Sequence, residues 1–217
     1  MKQIDADALK TAKQRSSVAF AIVESLRAGE IAIVPIEQGY VLIADIFSET
    51  GIAKIKEVKA LGADIYLPIL VSSVDQISPY CGPITPEQRL LALEFWPGPL
   101  MMEVSLPQGA LVNLGAQFAP DALYFRAAGN ELVRELCELM GGVVYSPIIK
   151  EGAPVNKLTS IEKKYRDSAS YLVQGKKFTP EQRPTIVRFS SDEIALARTG
   201  DIDEMRIRRI LPQLKGS

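Results

Sequence analysis

Ile31-Ala32-Ile33-Val34-Pro35, the turn Glu37-Gln38-Gly39 and Tyr40-Val41-Leu42-Ile43-Ala44-Asp45-Ile46 form the passage that decides the fold. Both apolar runs are nearly continuous rather than alternating, so each reads as a buried strand. A three-residue turn joins them. Upstream, Val18, Ala21, Ile22 and Leu26 recur at helical spacing, which predicts a helix over Ser17–Ala28 capped by Gly29. Downstream, Glu49–Ala60 reads as a helix with Ile52, Ile55 and Val58 on one face and Lys54, Lys56 and Lys59 around it. Buried strands need helices to cover them, and this passage supplies one on either side.

The alternation continues. Ile65–Val71 reads as a strand that Pro68 places at an edge or an end. Thr85-Pro86-Glu87-Gln88 combines a capping threonine, proline at the first helical position and a glutamine able to close a capping box. That helix stops at Phe95-Trp96, before Pro97-Gly98-Pro99. Strands are expected at Leu100–Leu106, Ala122–Arg126, Val143–Tyr145, Ser170–Val173, Thr185–Phe189 and Glu193–Ala197. Helices are expected from Asn130 to Met140 and over Asp203–Leu211. The expectation is one α/β domain, a single open mixed sheet flanked by helices, over residues 17–202. Residues 1–16 form an N-terminal extension in this reading, and 203–217 a C-terminal helix and tail.

Composition excludes much chemistry. The 217 residues include no histidine, which removes Ser-His-Asp and Cys-His catalysis and imidazole metal sites. Cys81 and Cys137 lack metal-ligand spacing and read as buried apolar residues. Walker, dinucleotide-binding, HExxH and G-x-S-x-G signatures are absent. No apolar run approaches the ~20 residues of a membrane span, and Met1–Arg15 is too polar for a secretory signal. A cytoplasmic protein without a membrane partner is expected. The net charge of −1 is uneven. Residues 1–150 carry 12 Lys and Arg against 17 Asp and Glu, and residues 151–217 carry 13 against 9. The basic final third suits either phosphates or a solvated face.

Six ordered landmarks add a resemblance. Gly29-Glu30-Ile31-Ala32-Ile33-Val34-Pro35-Ile36-Glu37-Gln38-Gly39-Tyr40-Val41-Leu42 is similar to a strand reading G-x-I-x-x-P-T-[DE]-[TS]-x-Y-G-L. Glu94-Phe95-Trp96-Pro97-Gly98-Pro99-Leu100 is similar to x-F-W-P-G-P-L-T, and Leu123-Tyr124-Phe125-Arg126 to a strand ending in R-x-P. Ser146-Pro147-Ile148 stands in place of S-A-N, Pro184-Thr185-Ile186-Val187 of S-T-[IV]-[VI], and Ala197-Arg198-Thr199-Gly200 of L-R-x-G. Together these resemble the YrdC-like family, the threonylcarbamoyl-AMP synthases. The resemblance implies an open twisted sheet with a concave cationic surface that binds ATP and L-threonine. It implies formation of threonylcarbamoyl-adenylate from ATP, threonine and bicarbonate, with Mg²⁺, for N6-threonylcarbamoylation of tRNA adenosine. A histidine-free chain suits that chemistry, whose main demand is positioning anions and neutralising phosphate charge.

The resemblance assigns substrate or nucleotide contacts to Lys59, Arg126, Ser146, Thr185, Arg198 and Tyr40. Arg126 and Arg198, at strand ends, read as anion-binding. Lys59 suits a solvated helix face better, and Tyr40 suits core packing better than base stacking. Arg126, Arg198, Thr185 and Ser146 are expected to converge on one cavity. Glu37 is the single carboxylate associated with the expected site and the candidate to sit near a metal, although no residues form a metal motif. Trp96 and its Pro-Gly-Pro turn read as structural. The departures cluster on the same pocket. Ile36 stands where the pattern has threonine, Leu61 where K-x-R has arginine, Ile148 where it has asparagine and Pro184 where it has serine. Val41 replaces the glycine after the tyrosine. Arg89, Arg183 and Arg188 are the candidates to replace the missing arginine. Two functions follow: a synthase with weakened or lost catalysis, or a non-catalytic paralogue that binds double-stranded RNA, tRNA or a nucleotide.

Overall fold

The computed structural model describes residues 1–107, 120–175, 178–179 and 183–215. In chain order the elements are β1 (Lys2–Asp5), α1 (Ala12–Arg27), β2 (Ile31–Ile36), β3 (Gly39–Asp45), α2 (Glu49–Lys59), β4 (Ile69–Val71), α3 (Ser78–Cys81) and α4 (Pro86–Phe95). They continue with β5 (Leu100–Ser105), β6 (Ala122–Ala127), α5 (Glu131–Met140), β7 (Val143–Pro147), β8 (Ile149–Lys150) and β9 (Ala153–Pro154). Last come α6 (Lys163–Ser168), β10 (Ala169–Gln174), β11 (Thr185–Phe189), β12 (Ile194–Arg198) and α7 (Glu204–Ile210).

Ten strands form one open twisted mixed sheet in the order β1-β10-β2-β3-β7-β4-β6-β5-β11-β12, and β8 and β9 pair separately. The β2–β3 pair is antiparallel, with Val34 opposite Val41 and Ile33 opposite Leu42. Both strands are buried along almost their whole length, as continuous apolar runs require. The turn between them needs Gly39, where an added Cβ would lie 2.5 Å from the Val155 carbonyl oxygen.

Two apolar layers sandwich the sheet. One holds Leu42, Ile69, Phe125, Val144 and Val187, covered by Ile52 and Ile55 of α2, Leu91 and Phe95 of α4, Tyr165 of α6 and Ile207 of α7. The other holds Ala32, Val34, Ile43, Leu70, Val143 and Tyr145 beneath Ile22 and Leu26 of α1 and Leu136 of α5. Alternation along each strand sends successive side chains to opposite layers. Helix starts follow local chemistry. Thr85 accepts from the Gln88 amide while the Gln88 side chain accepts from the Thr85 amide, as the capping box predicts.

Two boundaries differ appreciably from the sequence expectation. Helix α1 begins at Ala12 rather than Ser17, because Thr11 and Gln14 form a second capping box. Residues 1–16 thus contribute β1, an edge strand parallel to β10, and the first turn of α1. Of the expected strand Ile65–Val71, only Ile69–Val71 pairs with neighbours. Pro68 has no N–H to donate, and its carbonyl accepts from the Tyr145 amide at 2.9 Å. Among the described residues no helix is long and apolar enough to cross a membrane.

Candidate functional site

Arg126 is the second-last residue of β6, and its side chain is 0% exposed. Phe125 belongs to the α2/α4 layer, so Arg126 points to the other face, where Tyr145 of β7 also lies. Its Nη2 donates to Glu37 Oε2 at 2.9 Å, while Nε and Nη1 have no partner among the described residues. Glu37 Oε1 accepts from the Gly129 amide. A buried guanidinium without a carboxylate would be prohibitively costly, so this pair belongs to the fold as much as to any site. Burial holds the Tyr145 hydroxyl above its ordinary pKa, while Arg126 and Arg198 pull it down and Glu37 pushes it up. No sequence motif marks Tyr145 or the Gly129 amide. Alternation along β7 was the available signal, since it puts Tyr145 rather than Ser146 on the face of Arg126.

The face continues polar across β6, β5 and β11. Glu103 lies opposite Tyr124 and accepts from Arg188 Nε at 2.7 Å. Glu37 and Glu103 on this face are each paired with an arginine. Beside Glu37 a cavity of about 270 Å³ is lined by Pro35, Ile36, Gly129, Asn130 and Gly175 among others.

The four residues expected on one cavity do not share a face: Ser146 and Thr185 lie on the side of the sheet opposite Arg126. Ser146 pairs in register with Leu42, and Thr185 with Leu100, both members of the α2/α4 layer. The cause is the two-residue period of the strand, which a motif spelled along one strand does not respect.

Several retained polar groups have internal partners. The fully buried Thr185 hydroxyl accepts from the amides of Gly200 and Ile202 at 2.9 and 3.0 Å and donates to the Ile202 carbonyl at 2.8 Å. This clasp explains Gly200, where a Cβ would lie 2.3 Å from the Arg183 carbonyl oxygen. Arg198 donates twice to the Pro184 carbonyl, at 3.0 and 2.8 Å. Lys59 Nζ donates to the Pro147 carbonyl at 2.6 Å, and burial lowers its pKa. It is thus not a freely solvated lysine. Tyr40 packs against Phe178 at 5.0 Å between ring centroids and exchanges hydrogen bonds with the Gly175 backbone. Trp96 Nε1 donates to the Leu100 carbonyl at 2.8 Å across the Pro-Gly-Pro turn.

The substituted positions are mostly interior. Ile148 is 1% exposed in the α2/α4 layer, Leu61 packs against that layer, and Ile36 is 3% exposed on the other. Pro184 is half-buried. Of the replacement arginines, Arg89 pairs with Asp75 at an exposed position and Arg188 pairs with Glu103. Arg183 contributes its carbonyl, which accepts from the Asp201 amide. Glu37 has both oxygens engaged, and no group of three His, Cys, Asp or Glu among the described residues is placed to hold a metal.

Comparison with known proteins agrees with this architecture. Residues 24–200 match the Sua5/YciO/YrdC family, described as "Telomere recombination". A threonylcarbamoyl-AMP synthase of Enterobacter sp. is 28% identical over 182 residues, covering 82% of this chain and 90% of the relative. The Pyrococcus abyssi synthase is 30% identical over 122 residues, 56% of this chain, but that match spans only 35% of the larger protein. Among solved structures, a P. abyssi Sua5 variant superposes with a TM-score of 0.80 at 21% identity, over 100% of this chain and 62% of that one. Escherichia coli YciO superposes with a TM-score of 0.69 at 17% identity, over 93% and 95%. At those identities the structural likeness is one of fold. The family match spans most of the chain, and the chain belongs to the Sua5/YciO/YrdC family.

Proposed function

We propose that this chain is a divergent relative of the threonylcarbamoyl-AMP synthases that keeps a ligand-binding concave face and has weakened or lost adenylate formation. One observation carries the reading: polar groups the family pattern would aim at substrate are spent inside the fold. Lys59 is held by Pro147, Thr185 by Gly200 and Ile202 and Arg198 by Pro184, and the buried Arg126 is ion-paired with Glu37 through one nitrogen. A P. abyssi Sua5 of the same fold was crystallised with L-threonine, which makes a small amino acid the natural first ligand to test.

The proposed reaction joins a carbamate oxygen of N-carboxythreonine, formed from threonine and bicarbonate, to the α-phosphorus of ATP and expels pyrophosphate. It asks the protein for position and for cations and N–H groups aimed at developing phosphate charge. A phosphate oxygen that meets Ile36 or Pro184 sheds water without gaining a partner, at about 1–3 kcal/mol each. Two such contacts offset about 2–6 kcal/mol of the ~8 kcal/mol that micromolar affinity represents. Magnesium, in this reading, arrives with the nucleotide and neutralises phosphate charge.

Calorimetric titration with Mg-ATP tests the reading. Binding weaker than millimolar is expected, and a micromolar site would overturn it. The other reading is a non-catalytic cytoplasmic paralogue that binds double-stranded RNA or tRNA. It draws on the basic balance of residues 151–217, 13 Lys and Arg against 9 Asp and Glu. Its mark would be duplex binding that falls steeply with salt as counterions are released.

A further inference from the structure

Helix α4 leaves much of its apolar surface uncovered. Leu91, Ala92 and Phe95 face the sheet, but Leu93 is 76% exposed and Leu90 48%. Met205 of α7, the helix packed beside α4 with Arg206 over the Phe95 ring, is 69% exposed. Single exposed apolar residues are ordinary, whereas a group of them on two neighbouring helices marks a contact surface. A groove of about 310 Å³ adjoins them, walled by Val74, Leu93, Trp96 and Pro97, with the Asp75–Arg89 ion pair at its edge. Ala127 also lines it, and alternation along β6 points that residue away from the Arg126 face. The groove is therefore separate from the concave site. Its indole offers ring surface only, since Trp96 Nε1 already donates to the Leu100 carbonyl at 2.8 Å. An apolar side chain suits it.

The charges around the groove choose its occupant. Arg89 and Leu93, one turn apart, line the groove, while Glu87, Leu90 and Glu94 form the adjoining stripe of α4. Glu87 and Glu94, with Arg206 and Arg209 on α7, take part in no ion pair among the described residues. Two acids and two arginines balance. A polyphosphate or an anionic lipid surface calls for net positive charge, which this surface lacks. A surface that carries both a ridge and a groove, and both signs of charge, is complementary to itself, as a two-fold interface requires. We propose that α4 and α7 form a homodimer contact in which Leu93 of each copy enters the Trp96 groove of the other. With the two α4 helices antiparallel, both grooves fall on one side of the two-fold axis. On the other side, Glu87 and Glu94 meet the α7 arginines of the second copy. Helices of ten and seven residues are only about 15 and 10 Å long, short for a standard interface of ~800 Å² per partner, so the dimer is weak and reversible. This surface is distinct from the proposed ligand face, and the inference does not rest on that reading.

Sedimentation velocity of the full chain from about 1 to 300 µM tests the contact, with the emission of Trp96, the chain's one tryptophan, read in parallel. The mass should rise from monomer to dimer with a midpoint of about 10–100 µM, and the emission should shift to the blue along the same isotherm as the groove dries. Leu93→Gln, at a position the fold leaves in solvent, should weaken dimerisation about tenfold or more. Glu94→Arg should weaken it as well, and Glu94→Arg with Arg209→Glu should recover it, because every copy then carries the exchanged pair. A chain that stays monomeric at about 300 µM, its groove left to a different partner, overturns the proposal. So does a dimer that Leu93→Gln leaves unchanged, or one whose formation leaves the Trp96 emission unmoved, since its contact lies elsewhere. Should Leu93→Gln fail to fold, the charge-exchanged pair decides.

Discussion

Thr185→Val removes one oxygen and nearly nothing else of the side chain's shape. In the structure that oxygen makes three hydrogen bonds, to the Gly200 and Ile202 amides and the Ile202 carbonyl, in a site with no solvent exposure. It uses the full hydrogen-bonding capacity of a hydroxyl. The valine methyl leaves backbone groups of the 199–202 segment without that partner. At roughly 1 kcal/mol per net bond, and more for each group left buried and unpaired, the loss is about 3–5 kcal/mol. A domain of this kind is stabilised by roughly 5–15 kcal/mol, so the variant should fold but at much reduced margin. Urea denaturation followed by circular dichroism measures it directly. A substrate contact would behave in the opposite way, with binding lost and stability kept. A loss below about 1 kcal/mol would refute the argument that this hydroxyl serves the fold.

Ile148→Asn restores the amide of the family pattern, but it inserts it into an apolar layer at a position 1% exposed. The expected result is a destabilisation of about 1–3 kcal/mol by urea denaturation and no gain in pyrophosphate release. Gly200→Ala should destabilise by several kcal/mol in the same assay, since its Cβ would lie 2.3 Å from the Arg183 carbonyl oxygen and 2.7 Å from the Pro184 carbonyl carbon. Alkaline pH should destabilise the protein. Burial pushes the Cys137 and Cys81 thiols up to about 12, from 9.0, and burial with Asp45 pushes the Tyr80 hydroxyl up to about 12, from 10.0. Each group stays protonated in the fold while the unfolded chain ionises, so its stability contribution is complete below pH 9 (10 for Tyr80) and shrinks as pH rises toward 12. The slope is at most ~1.4 kcal/mol per pH unit per group, and Cys137→Ala should be less pH-sensitive between pH 9 and 11 than the wild type.

Much of the fold was legible because its signals are local. The capping box at Thr85 and Gln88, the Asn130 cap and the Gly141 stop each act within a turn or two of chain. The same signal at Thr11 and Gln14 starts α1 at Ala12, five residues before the expected Ser17. Strand β1 could not be read. Its sequence Lys-Gln-Ile-Asp is polar, and it becomes a strand only because β10, some 170 residues away, offers an edge. The site was less legible than the fold. A motif identifies a residue but not the face it occupies, and one step along β7 separates Tyr145, beside Arg126, from Ser146 on the far side of the sheet. Neither could sequence show that Lys59, 88 residues from Pro147, would spend its ammonium on that carbonyl.

The most direct test of the central claim is pyrophosphate release from ATP in the presence of threonine, bicarbonate and Mg²⁺, with each omitted in turn. The account predicts release at or near the rate without protein, unaffected by omitting threonine or bicarbonate. Release at an ordinary enzymatic rate, about 1 s⁻¹ or faster and dependent on both co-substrates, would contradict it.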